Sequence, residues 1–166
     1  MSDYDDLIKI ADLHSESKDN KVAKLVISNN EIVGGNNIEG IEVKTDAAEE
    51  HINIDITVKK GYVIEKPVHM CFGILKKEFN QKIKLDIKIE DNAEVDIVGH
   101  CVFPNAVKVK HFMDAKIKVG ENSKYSYFEK HIHSDTGGVE VYPKAAVEVG
   151  KNSRFNTEFE LLKGRV

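Results

Sequence analysis

Three segments of this chain are copies of one another at a spacing of 30 residues. Leu85–Val95, Ala115–Tyr125 and Ala145–Phe155 align without a gap. Asn92, Asn122 and Asn152 share a column, as do Ile87, Ile117 and Val147, and Ile89, Val119 and Val149. A fixed period of this length is the signature of a solenoid, in which each copy covers the apolar face of the next. Within a copy, apolar and charged residues alternate, the period of a strand with one buried side. A polar corner built on the Asn follows, and Asn tolerates the left-handed backbone that tight corners need. Alternation then resumes with Val95 and Ile97, Tyr125 and Tyr127, and Phe155. The pattern predicts an all-β parallel β-helix. An antiparallel meander would also show alternating strands and close turns, but nothing in it would hold a constant register.

Upstream the repeat fades while the chemistry persists: Ile52, Ile54, Ile56 and Val58 alternate with Asn53, Asp55 and Thr57. Gly34–Asn37, Lys60–Gly61 and Gly137–Gly138 mark further turns. One short helix is predicted over about residues 3–14, capped by Ser2 or Asp3, with a polar linker over 15–21. The expected organisation is therefore an N-terminal helix and linker over 1–21, then a β-helix core over 22–166. The last residues begin another strand, and no capping element follows. Open solenoid ends expose unpaired backbone, so the sequence is expected to be C-terminally truncated or covered there by another chain. Self-association as a homo-oligomer, such as a homodimer, is the corresponding expectation.

The chain carries a net charge of −4 with acids and lysines interleaved. That surface is not the basic footprint of a nucleic-acid binder. No apolar run reaches the roughly 20 residues that span a bilayer, and the acidic start lacks the basic region of a signal peptide. A cytoplasmic protein with free thiols at Cys71 and Cys101 is expected. Phosphate-loop, Cys-x-x-Cys and Gly-x-Ser-x-Gly patterns are absent from the sequence, so no self-contained enzyme is expected.

Cys101 ends a repeat strand with His100 beside it. An adjacent imidazole can hold a thiol as thiolate, the form that attacks sulfur or binds iron; a cysteine filling the core is the alternative. Cys71 lies in an apolar strand and reads as core. His131 and His133 leave one face of a strand together with Glu129, a two-His-one-carboxylate set that could bind a metal. The alternative is a surface or turn histidine pair. A cupin-like enzyme would need a glutamate soon after the histidines, whereas Glu140 follows only beyond a Gly-Gly turn.

Over about residues 60–166 the sequence resembles the core domain of the SufB/SufD family of iron–sulfur cluster assembly proteins. Three stretches carry the likeness. Lys66–Pro67 before an apolar strand looks like the family's entry into its β-helix. Gly99 to Pro104 (GHCVFP) is similar to the Gly-Cys-(Thr/Ser)-Ala-Pro segment of SufB, with His100 in place of the glycine. His111 to Tyr127 is similar to the SufB run that starts Leu-His and continues through Val-Gly-Lys-Asn-Ala-Lys, once one residue is deleted after Cys101. The short chain with its Asn-Ser corners looks closer to compact archaeal members. The resemblance implies a right-handed parallel β-helix, with Cys101 as the candidate sulfur acceptor and His100 and His111 as neighbours. It also implies a scaffold role beside a SufC-type ATPase and a SufB/SufD-type partner, handling an iron–sulfur cluster transiently in the intact assembly. The family's C-terminal coils and helical domain bind the ATPase and carry the assembly site. They are not in this sequence, so the piece alone is expected to hold no cluster.

Overall fold

Alternating apolar side chains become two sheets enclosing one core, as the computed structural model shows for residues 1–165; Val166, the end of the expected core range, lies outside the described residues. The first sheet holds β1 (Lys24–Ser28), β2 (Glu31–Asn36), β5 (Val68–Gly73), β7 (Glu94–Phe103), β9 (Lys124–His133) and β11 (Arg154–Lys163), in the order β11-β9-β7-β5-β1-β2. The second holds β3 (Ile41–Ala47), β4 (Ile52–Val58), β6 (Glu78–Ile89), β8 (Lys108–Val119) and β10 (Val139–Val149), in the order β10-β8-β6-β4-β3. From β4 onward the chain visits the two sheets in turn, and every strand lies parallel to the one a full coil away. The result is a β-solenoid of about four turns.

Register follows the repeat. Ile56 pairs with Ile87, Ile87 with Ile117, and Ile117 with Val147, forming an apolar column through the second sheet. Val95, Tyr125 and Phe155 form its counterpart in the first sheet, with the rings of Tyr125 and Phe155 stacked 5.6 Å apart. Asn92, Asn122 and Asn152 turn the corners with φ of 57°, 51° and 57°, the left-handed conformation expected of them. Ser123 Oγ donates to the Glu90 carbonyl at 2.8 Å, and its backbone N–H donates to Ser153 Oγ at 3.0 Å, tying corner to corner. Gly120 is required by proximity: a Cβ there would lie 2.6 Å from Asp91 Oδ1 and 2.8 Å from Asp91 N.

Antiparallel neighbours close the N-terminal end, with β2 on β1 and β3 on β4. The expected single helix is instead two: α1 (Asp3–Ile10), with Ser2 and Asp5 forming a capping box, and α2 (His14–Lys18). Asp12 adopts φ of 56°, which breaks the helix, and α2 takes up part of the expected linker. Leu7, Ile8, Ala11 and Leu13 pack with Val26, Cys71 and Val102 on the outer side of the first sheet. Cys71 is thus core, as expected, but of this smaller cluster.

Column position sets the cost of losing a side chain. Ile87 is fully buried, whereas Val147, in the same column, is 37% exposed at the far end. Ile87→Ala is expected to lower unfolding free energy by about 3 kcal/mol, within the range for buried aliphatic truncations. Val147→Ala should cost about 1 kcal/mol or less. Urea denaturation of both variants checks the difference.

Candidate functional site

The column that carries Phe72 in one coil carries Cys101 in the next and His131 in the one after. The same register puts Gln81 against His111, Gly99 against Glu129 and Phe103 against His133. Periodicity that builds the core elsewhere therefore builds a polar site here. Cys101, Gln81, His111, His131 and His133 are all buried, and Glu129 is largely so.

His100 and Cys101 are consecutive on β7, so their side chains leave opposite faces of the sheet. His100 stacks on His69 with Nε2 3.0 Å from His69 Nδ1 on the outer side. The imidazole that meets the thiol is His111, whose Nε2 lies 3.8 Å from Cys101 Sγ. Burial, with the Glu129 carboxylate and Cys71 adding to it, pushes the Cys101 thiol well above its ordinary range. Burial likewise depresses His111 to about 4, despite Glu129, with His131 and His133 adding to the shift. Burial therefore favours a protonated thiol facing a neutral imidazole, closer to the core-cysteine alternative than to a thiolate held by His100.

His131 and His133 are not a surface pair. His131 Nδ1 lies 2.9 Å from His133 Nε2, and His133 Nδ1 lies 2.8 Å from the Arg165 carbonyl. A carbonyl only accepts, so His133 donates from Nδ1 and its Nε2 accepts from His131. One proton then lies between His131 Nε2 and Glu129 Oε1, which are 2.6 Å apart. Burial would raise the Glu129 carboxyl, but hydrogen bonds from His131 and Tyr127 outweigh it and hold the group below its usual value. Tyr127 donates to Glu129 Oε2 at 2.6 Å, and its ring passes over Gly99.

Cys101 Sγ, a Glu129 oxygen and a His131 nitrogen lie within 4.8 Å of one another. Thiolate, carboxylate and imidazole together suit iron or zinc. Glu140 is elsewhere: it sits exposed on β10, bonded to Tyr142 and 3.6 Å from Lys110, so no cupin-like set assembles. Between the two sheets beyond this site, an apolar groove of about 520 Å³ is lined by Met113, Tyr125, Tyr127, Val141, Phe155 and Phe159 and reaches Glu129.

An iron-sulfur cluster assembly SufBD family protein of Pyrococcus horikoshii is 34% identical to the chain over 168 aligned positions, covering 99% of it. The chain belongs to the SufBD family. A second SufBD protein, from Methanocaldococcus jannaschii, is 34% identical over 146 positions and 88% of the chain. A third, from Archaeoglobus fulgidus, is 29% identical over 102 positions and 61% of the chain, or 27% of its own length. No protein-family model matches. This SufBD chain spans about half the length of the first two relatives, 51% and 46%. Among its described residues no helix is long and apolar enough to cross a membrane.

Gln81 and Tyr127 are members of the site that motif reading missed. The signal was present: one period before His111 is Gln81, and two residues before Glu129 on the same face is Tyr127.

Two buried imidazoles make stability depend on pH. Burial depresses His111 to about 4 and His100 to about 3, whereas in the unfolded chain both titrate near 6.5. Between those values the unfolded chain binds protons that the folded one does not, so stability rises with pH. The loss on acidification starts near the unfolded value and runs down to the folded ones, on the order of 3 kcal/mol for His111 alone. Urea midpoints at pH 7, 5.5 and 4.5 should fall in that order, and His111→Gln should flatten the dependence.

Proposed function

We propose that this chain is a scaffold component of iron–sulfur cluster assembly, accepting sulfur on Cys101 and presenting it beside ligands for iron. It acts by acceptance and docking, without turnover of its own. The observation that carries the reading is the inward thiol of Cys101 within 4.8 Å of Glu129 and His131. The relatives' names, which describe iron–sulfur cluster assembly proteins, support the general role.

The chemistry is thiol–persulfide exchange. Cys101 passes its proton to His111 Nε2, and its sulfur attacks the terminal sulfur of a donor persulfide. The donor's S–S bond breaks, the donor departs as a thiolate, and Cys101 becomes a persulfide. The terminal sulfur keeps its oxidation level, so no further oxidant or reductant is consumed. In the closed interior both groups favour the proton on sulfur, which shields the thiol until a donor or a cation enters past Glu129. Iron arriving as cargo would then meet sulfur, carboxylate and imidazole together.

Clusters are usually held by four thiolates, and Cys101 is the one thiol on the inner side of the first sheet. The chain therefore supplies part of a ligand set and works with others. A SufC-type ATPase and a SufB/SufD-type partner are the proposed companions of the intact protein. A second copy docking on β10 and β11, each outermost in its sheet among the described residues, is the corresponding arrangement for this piece.

With a persulfide donor, mass spectrometry should find one added sulfur on the parent and on Cys71→Ser, and none on Cys101→Ser. Equal uptake by Cys101→Ser would sink the assignment. Light scattering at high concentration should give a mass above 18.7 kDa; a strict monomer contradicts docking through the open edges.

A further inference from the structure

Gln81 has no place in the sulfur chemistry above, yet it is completely buried directly against His111 in the strand register. Its carboxamide is held from both ends. Nε2 faces the carbonyl of Asn29, in a short contact, and the carbonyl of Gly73 at 3.3 Å. Carbonyls cannot donate, so the amide nitrogen must point toward them and its orientation is settled. The amide oxygen is left facing His111 Nδ1 at 2.8 Å. An oxygen without a hydrogen requires one on Nδ1. A neutral imidazole with its hydrogen on Nδ1 carries its lone pair on Nε2, the atom that faces Cys101 Sγ at 3.8 Å.

We infer that Gln81 is a positioning residue that fixes His111 in the tautomer able to accept the Cys101 proton. Two backbone carbonyls orient the amide, the amide orients the ring, and the ring presents an acceptor to the thiol. Without Gln81 nothing in the contacts of Nδ1 opposes the other tautomer, which turns an N–H toward the sulfur and cannot take its proton. The role of Gln81 in sulfur uptake rests on the reading of Cys101 as the acceptor; its control of the tautomer does not.

The test separates the two. Imidazole nitrogen NMR shifts of the ¹⁵N-labelled protein at pH 7 report which His111 nitrogen carries the hydrogen. In the parent, Nδ1 should be protonated and Nε2 bare. Gln81→Leu removes the acceptor, and the Nε2–H form should become populated; Gln81→Glu keeps an oxygen at the same distance and should retain hydrogen on Nδ1. An Nε2–H tautomer in the parent, or an unchanged spectrum in folded Gln81→Leu, overturns the inference. Both variants remove the amide hydrogens from the Asn29 carbonyl, so circular dichroism must accompany the spectra; if both fail to fold, the parent spectrum still decides. In the uptake assay the Leu variant should react about tenfold or more slowly, the loss expected when a proton acceptor is misplaced, and Gln81→Glu should recover most of the rate. Normal tautomers with no sulfur uptake by the parent would refute the acceptor reading alone.

Discussion

Parallel pairing of each strand with the strand one coil away is the constraint from which the rest follows. Neighbouring strands in a sheet lie about 4.8 Å apart, so a side chain meets its equivalent in the next coil as its nearest neighbour. A column can then hold only what stacks: aliphatic on aliphatic in Ile56, Ile87 and Ile117, ring on ring in Tyr125 and Phe155. Corner residues obey the same rule, which is why serine meets serine and glycine meets glycine at successive bends.

The polar site is an interruption of this order, and its members tolerate burial because each has a partner. Burying an unpaired polar group costs several kcal/mol; here the imidazoles, the carboxylate, the phenol and the amide hand hydrogen bonds along two short chains. One chain runs from the carbonyls of Asn29 and Gly73 through Gln81 and His111 to Cys101. The other runs from Tyr127 through Glu129, His131 and His133 to the Arg165 carbonyl. The Cys101 thiol ends the first chain and lies within 4.8 Å of Glu129 and His131 in the second, so it sits between an imidazole and a carboxylate–imidazole pair in an otherwise apolar interior.

The architecture was legible because the three asparagines keep one spacing, and that spacing is the coil. The break after α1 was not, since Asp12 in a left-handed conformation carries no signature that separates it from any other helical aspartate. Cys101 is legible as a motif, but its partner is not: adjacency in sequence points to His100, whereas adjacent strand residues face opposite ways and the thiol meets His111. The Gly-Gly turn after His131 and His133 makes a surface pair as plausible from sequence as a metal set with Glu129, and only the coil register separates the two. Applying the same 30-residue shift that revealed the fold would have put His131 beneath Cys101 and Gln81 beneath His111. The 30-residue register governs polar and apolar positions alike. Tautomer control by Gln81 lay beyond sequence, since it depends on two carbonyls from distant segments.

Gly99 and Tyr127 illustrate what such stacking does to neighbouring positions. A Cβ at position 99 would lie 2.4 Å from the tyrosine hydroxyl, so the ring keeps this place only while its neighbour has no side chain. The two positions are sterically coupled. A side chain at residue 99 would press on the Tyr127 hydroxyl, and moving that ring aside would strip the Glu129 carboxylate of its phenol donor. A missing methyl group on one strand thus sets the hydrogen bonding of a carboxylate on the next.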